Sequence, residues 1–333
     1  EKNNKPFNPK LLKIYTQNGY LISNLIANKI KLPESFTLQR NGGVKTIFVN
    51  NKNKYALISN NKGNCFYASI VELKQGNEIF KTKCLPDDKK KADFNGLGSS
   101  NAHNEKNIYL SIGTPTQYSK PIYDLAQKDD SVFGKIIEIK KSSLNNSKFE
   151  YKIFSKGHRN PQGLTILDNK ILSVEHGPKG GDELNLIENN KNYGWPLVSY
   201  GTRYTYDNKG KSYKINHEAE NFVEPLVALV PSVGISSINT CPKILKNYYK
   251  KNCLMALSLY GNNLMPGRSI IIFLLNDTLD KVNSFEKIYL GKDMKLRHFV
   301  TNEKNELYED KQGNIYVSAD LKGIYKISFS DFR

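Results

Sequence analysis

Residues 157–204 contain the residue types that could form a metal or ligand site. The middle of this stretch reads His176-Gly177-Pro178-Lys179-Gly180-Gly181 and is followed by two carboxylates, Asp182 and Glu183. This segment has too much glycine and proline for a helix or a regular strand, so we expect a loop that exposes backbone carbonyls. Carbonyl and carboxylate oxygens are hard ligands, which suit Ca²⁺ better than a transition metal. The pattern favours a calcium site, but a plain connecting loop has a similar composition.

Several other kinds of site do not fit the same stretch. No Gly-Lys-Ser/Thr follows the glycines, so a P-loop for phosphates is excluded. His158 and His176 have neither the HExxH pattern nor Cys-His zinc spacing, so we do not expect a catalytic zinc. Strands predicted at 164–167 and 171–174 precede the loop and would hold it in place.

Strands of one kind recur through the whole chain. A polar turn followed by an alternating strand occurs six times, at 11–19, 54–60, 107–113, 170–177, 252–261 and 314–320. Alternation is typical of strands, and long helical periodicity is nearly absent. Six similar strands in an all-β chain predict a six-bladed β-propeller, in which 333 residues divided by six give about 55 per blade. Without a linker or a break in composition, we expect residues 1–333 to form a single domain, with residues 223–237 starting the fifth blade.

The four cysteines bear on the compartment. They lie at Cys65, Cys84, Cys241 and Cys253, without a CxxC motif, which argues against a zinc ribbon or a thioredoxin-like site. Each local pair encloses a short segment, so we prefer two short-loop disulfides in an exported, periplasmic or secreted protein; four free thiols in a cytosolic protein remain the alternative. The first ten residues have no hydrophobic signal core, so any export signal has been removed or was never present.

The net charge of +17 raises the question of a nucleic-acid partner. The lysines are scattered over polar turns, and no RNP, helix-turn-helix or zinc-finger pattern occurs. We therefore expect no nucleic-acid partner. No apolar run reaches the length of a membrane span, so we expect none.

Three segments carry a family resemblance. They are GHRNPQGL, SVEHGPKGGDELNLIE and NYGWPLVSYGTRY, all within residues 157–204. They resemble the signature blocks of the soluble PQQ-dependent sugar dehydrogenases, a family of six-bladed propellers that oxidise the C1 hydroxyl of aldoses. The resemblance implies PQQ and Ca²⁺ as cofactors and a small sugar as the partner.

The resemblance also assigns roles to individual residues. Arg159 and Asn160 match the family's pair that contacts cofactor and substrate. Gly177 and Pro178 match the pair whose carbonyls hold the catalytic Ca²⁺. Glu183, the carbonyl of Tyr193 and Glu224 match a second, structural calcium site. Lys295 and Arg297 match an Arg-x-Arg pair that binds the cofactor.

Three positions depart from the family pattern. Leu97 falls at or near the position of the catalytic histidine, and a leucine cannot accept a proton; His103, several residues away, is the nearest substitute in the sequence. Asn41 replaces a cofactor-binding glutamine, and Tyr260 replaces a cofactor-binding lysine. We therefore expect weakened PQQ binding and impaired catalysis.

Two functions from different classes remain open on the sequence alone. The first is an exported PQQ-dependent sugar dehydrogenase with impaired catalysis. The second is a non-catalytic propeller that binds a glycan, a small acid or a protein on its top face. A polyanion-binding protein is a third and weaker possibility, because only the net charge supports it.

Overall fold

The structure is a computed structural model that describes most of the chain. It describes residues 12–24, 26–86, 93–115, 119–145, 149–203, 213–260, 268–291 and 294–329. Residues 11, 204 and 261, which end three of the stretches discussed above, lie outside the described residues. Within these ranges no helix is long and apolar enough to cross a membrane.

The described strands form six sheets in chain order, antiparallel apart from one parallel pairing, and these sheets are the blades of a β-propeller. Blade 1 contains β1 (Lys13–Tyr15), β2 (Tyr20–Ser23) and β3 (Ile26–Lys29), and blade 2 contains β4 (Val44–Asn50), β5 (Asn53–Lys62), β6 (Cys65–Glu72) and β7 (Asn77–Lys81). Blade 3 contains β8 (Asn101–His103), β9 (Asn107–Ile112), β10 (Lys135–Lys140) and β11 (Tyr151–Lys156). Blade 4 contains β12 (Pro161–Leu167), β13 (Lys170–Glu175), β14 (Asp182–Ile187) and β16 (Val227–Leu229), and β15 (Lys191–Asn192) pairs in parallel with β11 of blade 3. Blade 5 contains β17 (Ile235–Thr240), β18 (Asn252–Ser258), β19 (Ser269–Leu275) and β20 (Val282–Tyr289), and blade 6 contains β21 (Leu296–Phe299), β22 (Ile315–Ala319) and β23 (Gly323–Ile327). The predicted six-bladed fold is confirmed.

Helices are short and lie between strands. Within the described ranges the α-helices are α1 (Lys120–Tyr123) and α2 (Lys243–Tyr249), and the 3₁₀ turns are Gln39–Asn41, Asp124–Ala126, Lys141–Asn145 and Glu218–Glu220. This matches the lack of helical periodicity in the sequence.

The recurring sequence pattern corresponds to one position in the blades. Five of its six copies fall on the second strand of blades 2 to 6, which are β5, β9, β13, β18 and β22, and the first copy overlaps β1. A second strand has a neighbour on both edges and a blade on both faces. It is therefore largely buried, which explains its consistent apolar pattern.

One predicted boundary is wrong. Residues 223–237 do not start the fifth blade as a unit, because β16 pairs with β14 of blade 4 and only β17 begins blade 5. Pro231 lies between these strands and cannot donate a ladder hydrogen bond, which favours a break there. The buried carboxylate of Asp182 holds the crossover, accepting hydrogen bonds from the N–H groups of Val233 at 3.1 Å and Ile235 at 3.0 Å.

The core lies between neighbouring blades rather than at a single centre. One apolar cluster joins blades 2 and 3, a second joins blades 4 and 5, and a third joins blades 5 and 6. Strand β19 is buried along its whole length, consistent with its sequence SIIIFLL. These clusters, with a fourth between blades 3 and 4, bury the facing sides of blades 2 to 6, whereas the strands of blade 1 are exposed or half-buried.

Both predicted disulfides are present. Cys65 and Cys84 are bonded with a Cα–Cα distance of 5.2 Å and close the outer hairpin of blade 2. Cys241 and Cys253 are bonded with a Cα–Cα distance of 5.4 Å and close the segment that contains α2.

Candidate active site

The first strand of every blade contributes to one large cavity of about 1070 Å³. The contributing side chains include Tyr15 of β1, Lys45 of β4, Asn101 of β8, Gln162 of β12, Ser237 of β17 and Arg297 of β21. These strands converge because β12 contacts both β8 and β17, and β17 contacts β21. The cavity therefore lies where the six blades meet.

The cavity is strongly cationic. Its cationic side chains, called the cavity cations below, are Lys45, Arg268, Lys295, Arg297 and Lys322. Among the described lining residues Asp320 is the single carboxylate, and both of its oxygens accept hydrogen bonds from the guanidinium of Arg297. The hydrogen bond from Arg297 lowers the pKa of Asp320, so this carboxylate stays ionised and fixes the arginine in place.

Two predicted cofactor residues meet beside the cavity. The ammonium of Lys295 lies 5.3 Å from the ring centroid of Tyr260, within the range of a cation–π contact. Tyr260 itself does not line the cavity, and 55% of its surface is exposed. Tyr260 therefore supports Lys295 rather than reaching into the cavity.

Leu97 lies between the cavity and the apolar core. It borders the cavity but is only 1% exposed, and it belongs to the apolar cluster that joins blades 2 and 3. Its N–H donates to the carbonyl of Phe94 at 3.0 Å, which closes a tight turn. The position where the family resemblance implies a catalytic base is thus occupied by a core side chain.

His103 lies outside the lining of the cavity. It is on β8, and its Nε2 is 2.9 Å from the Oδ1 of Asn101. Burial, with smaller effects of Lys141 and Lys304, lowers the pKa of His103 to about 4. The ring is neutral at pH 7, but the structure does not bring it to the site where Leu97 and the cavity cations meet.

Asn41 is at the cavity and is held by a neighbouring loop. Its side-chain amide donates to Asp93 at 2.9 Å, and its carbonyl accepts a hydrogen bond from the Nζ of Lys45 at 2.7 Å. Asp93 in turn accepts from the N–H of Asn95 at 2.6 Å. These contacts tie the turn before β4 to the loop that carries Leu97.

Arg159 and Asn160 lie outside the lining of the cavity. The guanidinium of Arg159 donates to the carbonyl of His176 at 2.8 Å and lies 5.2 Å from the ring centroid of Trp195. Arg159 and Gly177 line a separate void of about 10 Å³. The Oδ1 of Asn160 accepts a hydrogen bond at 2.8 Å from Gln162, which does line the cavity, so Asn160 connects the two spaces.

A buried polar network, which the sequence did not reveal, fixes the Arg159 turn. The Nδ1 of His158 is 3.2 Å from Glu175, and its Nε2 is 2.9 Å from the hydroxyl of Ser155. The other oxygen of Glu175 accepts a hydrogen bond from the N–H of Arg159 at 2.7 Å. All of these groups are buried, so we assign the network a positioning role. The GHR and VEH triplets were the available signal, but their pairing depends on the register of β12 and β13.

Gly98 is a second residue that the sequence analysis missed. A Cβ at Gly98 would lie 2.3 Å from the side chains of both Asn160 and Gln162. Glycine is therefore required for the loop next to Leu97 to approach the Asn160 turn.

The predicted calcium ligands surround a group of buried oxygens. Glu183 and Tyr193 line the void of about 10 Å³, and the ring of His217 lies 4.0 Å from Glu183 and 3.6 Å from Glu224. Burial, and then the charge of Glu175, raises the pKa of Glu183 well above its usual value. The buried Oδ1 of Asn185 has no hydrogen-bond partner. Across the described ranges, no three His, Cys, Asp or Glu side chains are grouped as for a metal, so a cation here would need backbone carbonyls as well.

The other predicted calcium residues lie in the glycine-rich loop. Pro178 is buried and packs against Gly201. A Cβ added to Gly201 would lie 2.7 Å from the Pro178 ring. The N–H of Gly177 donates to Asp182 at 3.2 Å. The loop is thus closely packed and held by the carboxylate that follows it.

Comparison with known proteins identifies the family. The family model described as Glucose / Sorbosone dehydrogenase matches residues 32–319. The chain belongs to this family. It is 35% identical over 107 residues to the aldose sugar dehydrogenase YliI of Escherichia coli, covering 29% of this chain and 28% of that protein. It is 36% identical over 99 residues to quinoprotein glucose dehydrogenase B of Acinetobacter calcoaceticus, covering 27% of this chain and 21% of that protein.

Solved structures of the family share the fold along almost the whole chain. A glucose dehydrogenase crystal structure gives a TM-score of 0.71 at 21% identity and covers 98% of this chain and 95% of its own. The apo form of the soluble aldose sugar dehydrogenase from Escherichia coli gives 0.71 at 18% identity, covering 98% of this chain and 93% of its own. In contrast, the sequence matches span less than a third of the curated relatives' length.

Proposed function

We propose that this member of the glucose/sorbosone dehydrogenase family is a PQQ-dependent dehydrogenase acting on the C1 hydroxyl of an aldose, with impaired proton transfer. The observation that carries the proposal is the cation-lined cavity of about 1070 Å³ where the six blades meet. The two disulfides of the chain favour an oxidising compartment, so we place the protein in the periplasm or outside the cell.

The donor set of the cavity fits PQQ, which is a planar tricarboxylate quinone. Lys295 and Arg297 would bind its carboxylates, and the planar guanidinium of Arg297 is already oriented by Asp320. Asn41 would add an amide contact from blade 2. When bound, PQQ supplies the acceptor for the hydride that leaves the sugar C1. Arg159 and Asn160 would orient the Gly177 loop and Gln162 from below.

Calcium fits the oxygen-rich region beside the cavity. The carbonyls of Gly177 and Pro178 would hold one ion, which would polarise bound oxygen atoms. Glu183, the carbonyl of Tyr193 and Glu224 would hold a structural ion. The orphaned Oδ1 of Asn185 and the raised pKa of Glu183 support the second site, because a buried cation would compensate both.

Impaired catalysis follows from Leu97. A positioned base contributes about 10²–10⁴-fold to such a reaction, and the leucine side chain cannot supply one. Asn41 is engaged by Asp93, and Tyr260 lies outside the cavity lining. Each residue would therefore bind the cofactor more weakly than the family's glutamine or lysine at the same position.

Reconstitution tests the proposal. The purified chain is mixed with PQQ and Ca²⁺, and dye reduction is then followed with glucose and a panel of other aldoses. We expect slow oxidation above the rate of PQQ alone. Cofactor binding without oxidation of any aldose would instead favour a non-catalytic binding propeller, and failure to bind PQQ would overturn the proposal.

A further inference from the structure

Lys45 is a lysine at the start of a strand that is otherwise mostly apolar. It is the second residue of β4, and its side chain lines the cavity beside Leu97 and Asn41. Its Nζ donates to the carbonyls of Asn41 at 2.7 Å and Phe94 at 3.2 Å. The family resemblance assigns no role to this position.

The Phe94 carbonyl links Lys45 to Leu97, the position where the family resemblance implies a catalytic base. This oxygen also accepts the hydrogen bond from the N–H of Leu97 at 3.0 Å. The amine of Lys45 and the turn that carries Leu97 therefore share one acceptor. Lys45 thus places a titratable nitrogen within hydrogen-bond distance of the turn that carries Leu97, and both residues line the cavity.

We propose that Lys45 is the catalytic acid–base residue of this cavity and accepts the proton of the sugar's C1 hydroxyl. The inference rests on the proposed function, since it names the group that carries its remaining proton transfer.

The hydrogen bonds of Lys45 suit this role. A neutral amine has two N–H bonds, and the carbonyls of Asn41 and Phe94 provide two acceptors. The lone pair then remains available for a proton. In the charged form a third N–H bond occupies the position of the lone pair, so the same two hydrogen bonds suit the neutral and the protonated amine.

The surroundings of Lys45 favour loss of its proton near neutral pH. Burial lowers the pKa of Lys45 to about 8, and the charge of Asp93 opposes this only in part. The other cavity cations face the same space, together with Asp320, Tyr15 and His298. Asp320 is engaged by Arg297, and Asp93 is the carboxylate that acts on Lys45. A substantial fraction of the amine is therefore neutral at pH 8.

The chemical step balances with the acceptor already named. The O–H bond of the C1 hydroxyl breaks and a new N–H bond forms on Lys45. The C1–H bond at the same carbon would break, and its hydrogen would leave as hydride with both electrons, for which bound PQQ would supply the acceptor. The resulting C=O bond completes the oxidised sugar, and the ammonium of Lys45 then returns its proton to water.

The experiment compares Lys45→Arg with Lys62→Arg after loading with PQQ and Ca²⁺. Arginine keeps the positive charge but does not lose its proton at neutral pH. Lys62 is an exposed lysine at the end of β5 in the same blade and serves as the matched control. We expect Lys45→Arg to bind PQQ within a few-fold of wild type but to oxidise aldose ~10²-fold more slowly. The wild-type rate should rise with pH through about 8, and the variant should lose this rise.

A second measurement needs neither cofactor nor mutation. Native protein is labelled with acetic anhydride at pH 6–11, and the acetylation of Lys45 and Lys62 is quantified by mass spectrometry. We expect the reactivity of Lys45 to follow a pKa near 8, and Lys62, exposed at the end of β5, serves as the reference lysine in the same digest.

The outcomes separate this inference from the proposed function. If the loaded wild type oxidises no aldose, the proposed function is overturned, and the role of Lys45 with it. If the wild type is active but Lys45→Arg keeps the wild-type rate and pH profile, the proposed role of Lys45 is overturned and the proposed function stands. A labelling pKa near 10.4 for Lys45, or a pH profile that disappears in His298→Gln instead, would also overturn it.

Discussion

Leu97 touches the cavity on one side and the apolar cluster of blades 2 and 3 on the other. A polar ring at this position would be placed largely among apolar side chains. We therefore predict that Leu97→His destabilises the protein by about 1–3 kcal/mol, the usual cost of burying a polar group without a partner. We also predict that this variant does not oxidise aldoses faster than wild type. Burial would lower the pKa of the new imidazole, and the ring would pack among apolar side chains instead of facing the cavity.

Thermal unfolding and dye reduction test this variant together. Leu97→Met is the control, since a swap of similar volume in a core usually costs less than about 1.5 kcal/mol. A Leu97→His protein as stable as wild type, with oxidation increased tenfold or more, would show that residue 97 faces the substrate after all.

Individual site residues were predictable from the sequence only in part. Lys295 and Arg297 are brought to the cavity as the family motif implies, because Lys295 directly precedes β21, Arg297 lies on it, and β21 is a first strand. Arg159 is placed differently, since its contacts with His176 and Trp195 depend on packing across distant turns. Lys45 could not be singled out among 49 lysines and arginines, because its burial and its carbonyl partners come from the folded loop.

Strand β10 begins with Lys135, which is fully buried and connects several elements. Its Nζ donates to the carbonyls of Leu125 at 2.9 Å, Ala126 at 2.8 Å and Phe133 at 3.1 Å. Desolvation by burial lowers the pKa of Lys135 to about 7. Since this value lies below the ordinary 10.5, the folded state binds fewer protons than the unfolded state between these pH values. Its contribution to stability therefore rises as the pH increases from 7 towards 10.5.

Lys135→Met tests this account of β10. The variant leaves three carbonyls without their donor, so we predict a loss of about 1–3 kcal/mol in unfolding free energy. The difference between wild type and variant should be larger at pH 9 than at pH 6.5, measured by urea unfolding. Lys128→Met, at an exposed position, should change little at either pH. A difference that shrinks at pH 9 would contradict the lowered pKa.

The glycine-rich loop and β14 provide the proposed calcium site. A ligand that binds only the folded state stabilises it, by about 2.7 kcal/mol at a free concentration of 100 times Kd. We predict that a chelator lowers the melting temperature of the wild type and has little effect on Glu183→Gln. Glu188→Gln, on the exposed end of the same hairpin, should remain sensitive to chelator. A wild-type melt that chelator does not move would remove the structural calcium ion from the proposal.

The architecture was largely predictable, and the reason is physical. The second strand of blades 2 to 6 is largely buried, so similar apolar residues recur at the same place in each blade, and the repeated pattern was visible in the sequence. The disulfides followed from the short segments between the cysteines. The boundary between blades 4 and 5 was not predictable, because Asp182 fixes it through hydrogen bonds to a segment 51 residues away.

The cationic cavity formed by all six blades supports the function proposed for the whole molecule. Its charge is suited to a ligand with several carboxylates, and Arg297 is held there by two hydrogen bonds to Asp320. Arg297→Met would remove a charged donor and leave the carboxylate of Asp320 unpaired towards the ligand. Hydrogen bonds to charged groups contribute about 1.5–3 kcal/mol, which corresponds to about 10–100-fold in Kd.

The decisive measurement is a titration of the cofactor-free protein with PQQ in the presence of Ca²⁺, followed by absorbance, for wild type, Arg297→Met and Lys62→Met. We predict saturable binding of one PQQ per chain to the wild type, the same affinity in Lys62→Met, and a Kd about 10–100-fold higher in Arg297→Met. Absence of saturable binding to the wild type, or equal affinity in all three proteins, would contradict the assignment of the cavity as the cofactor site.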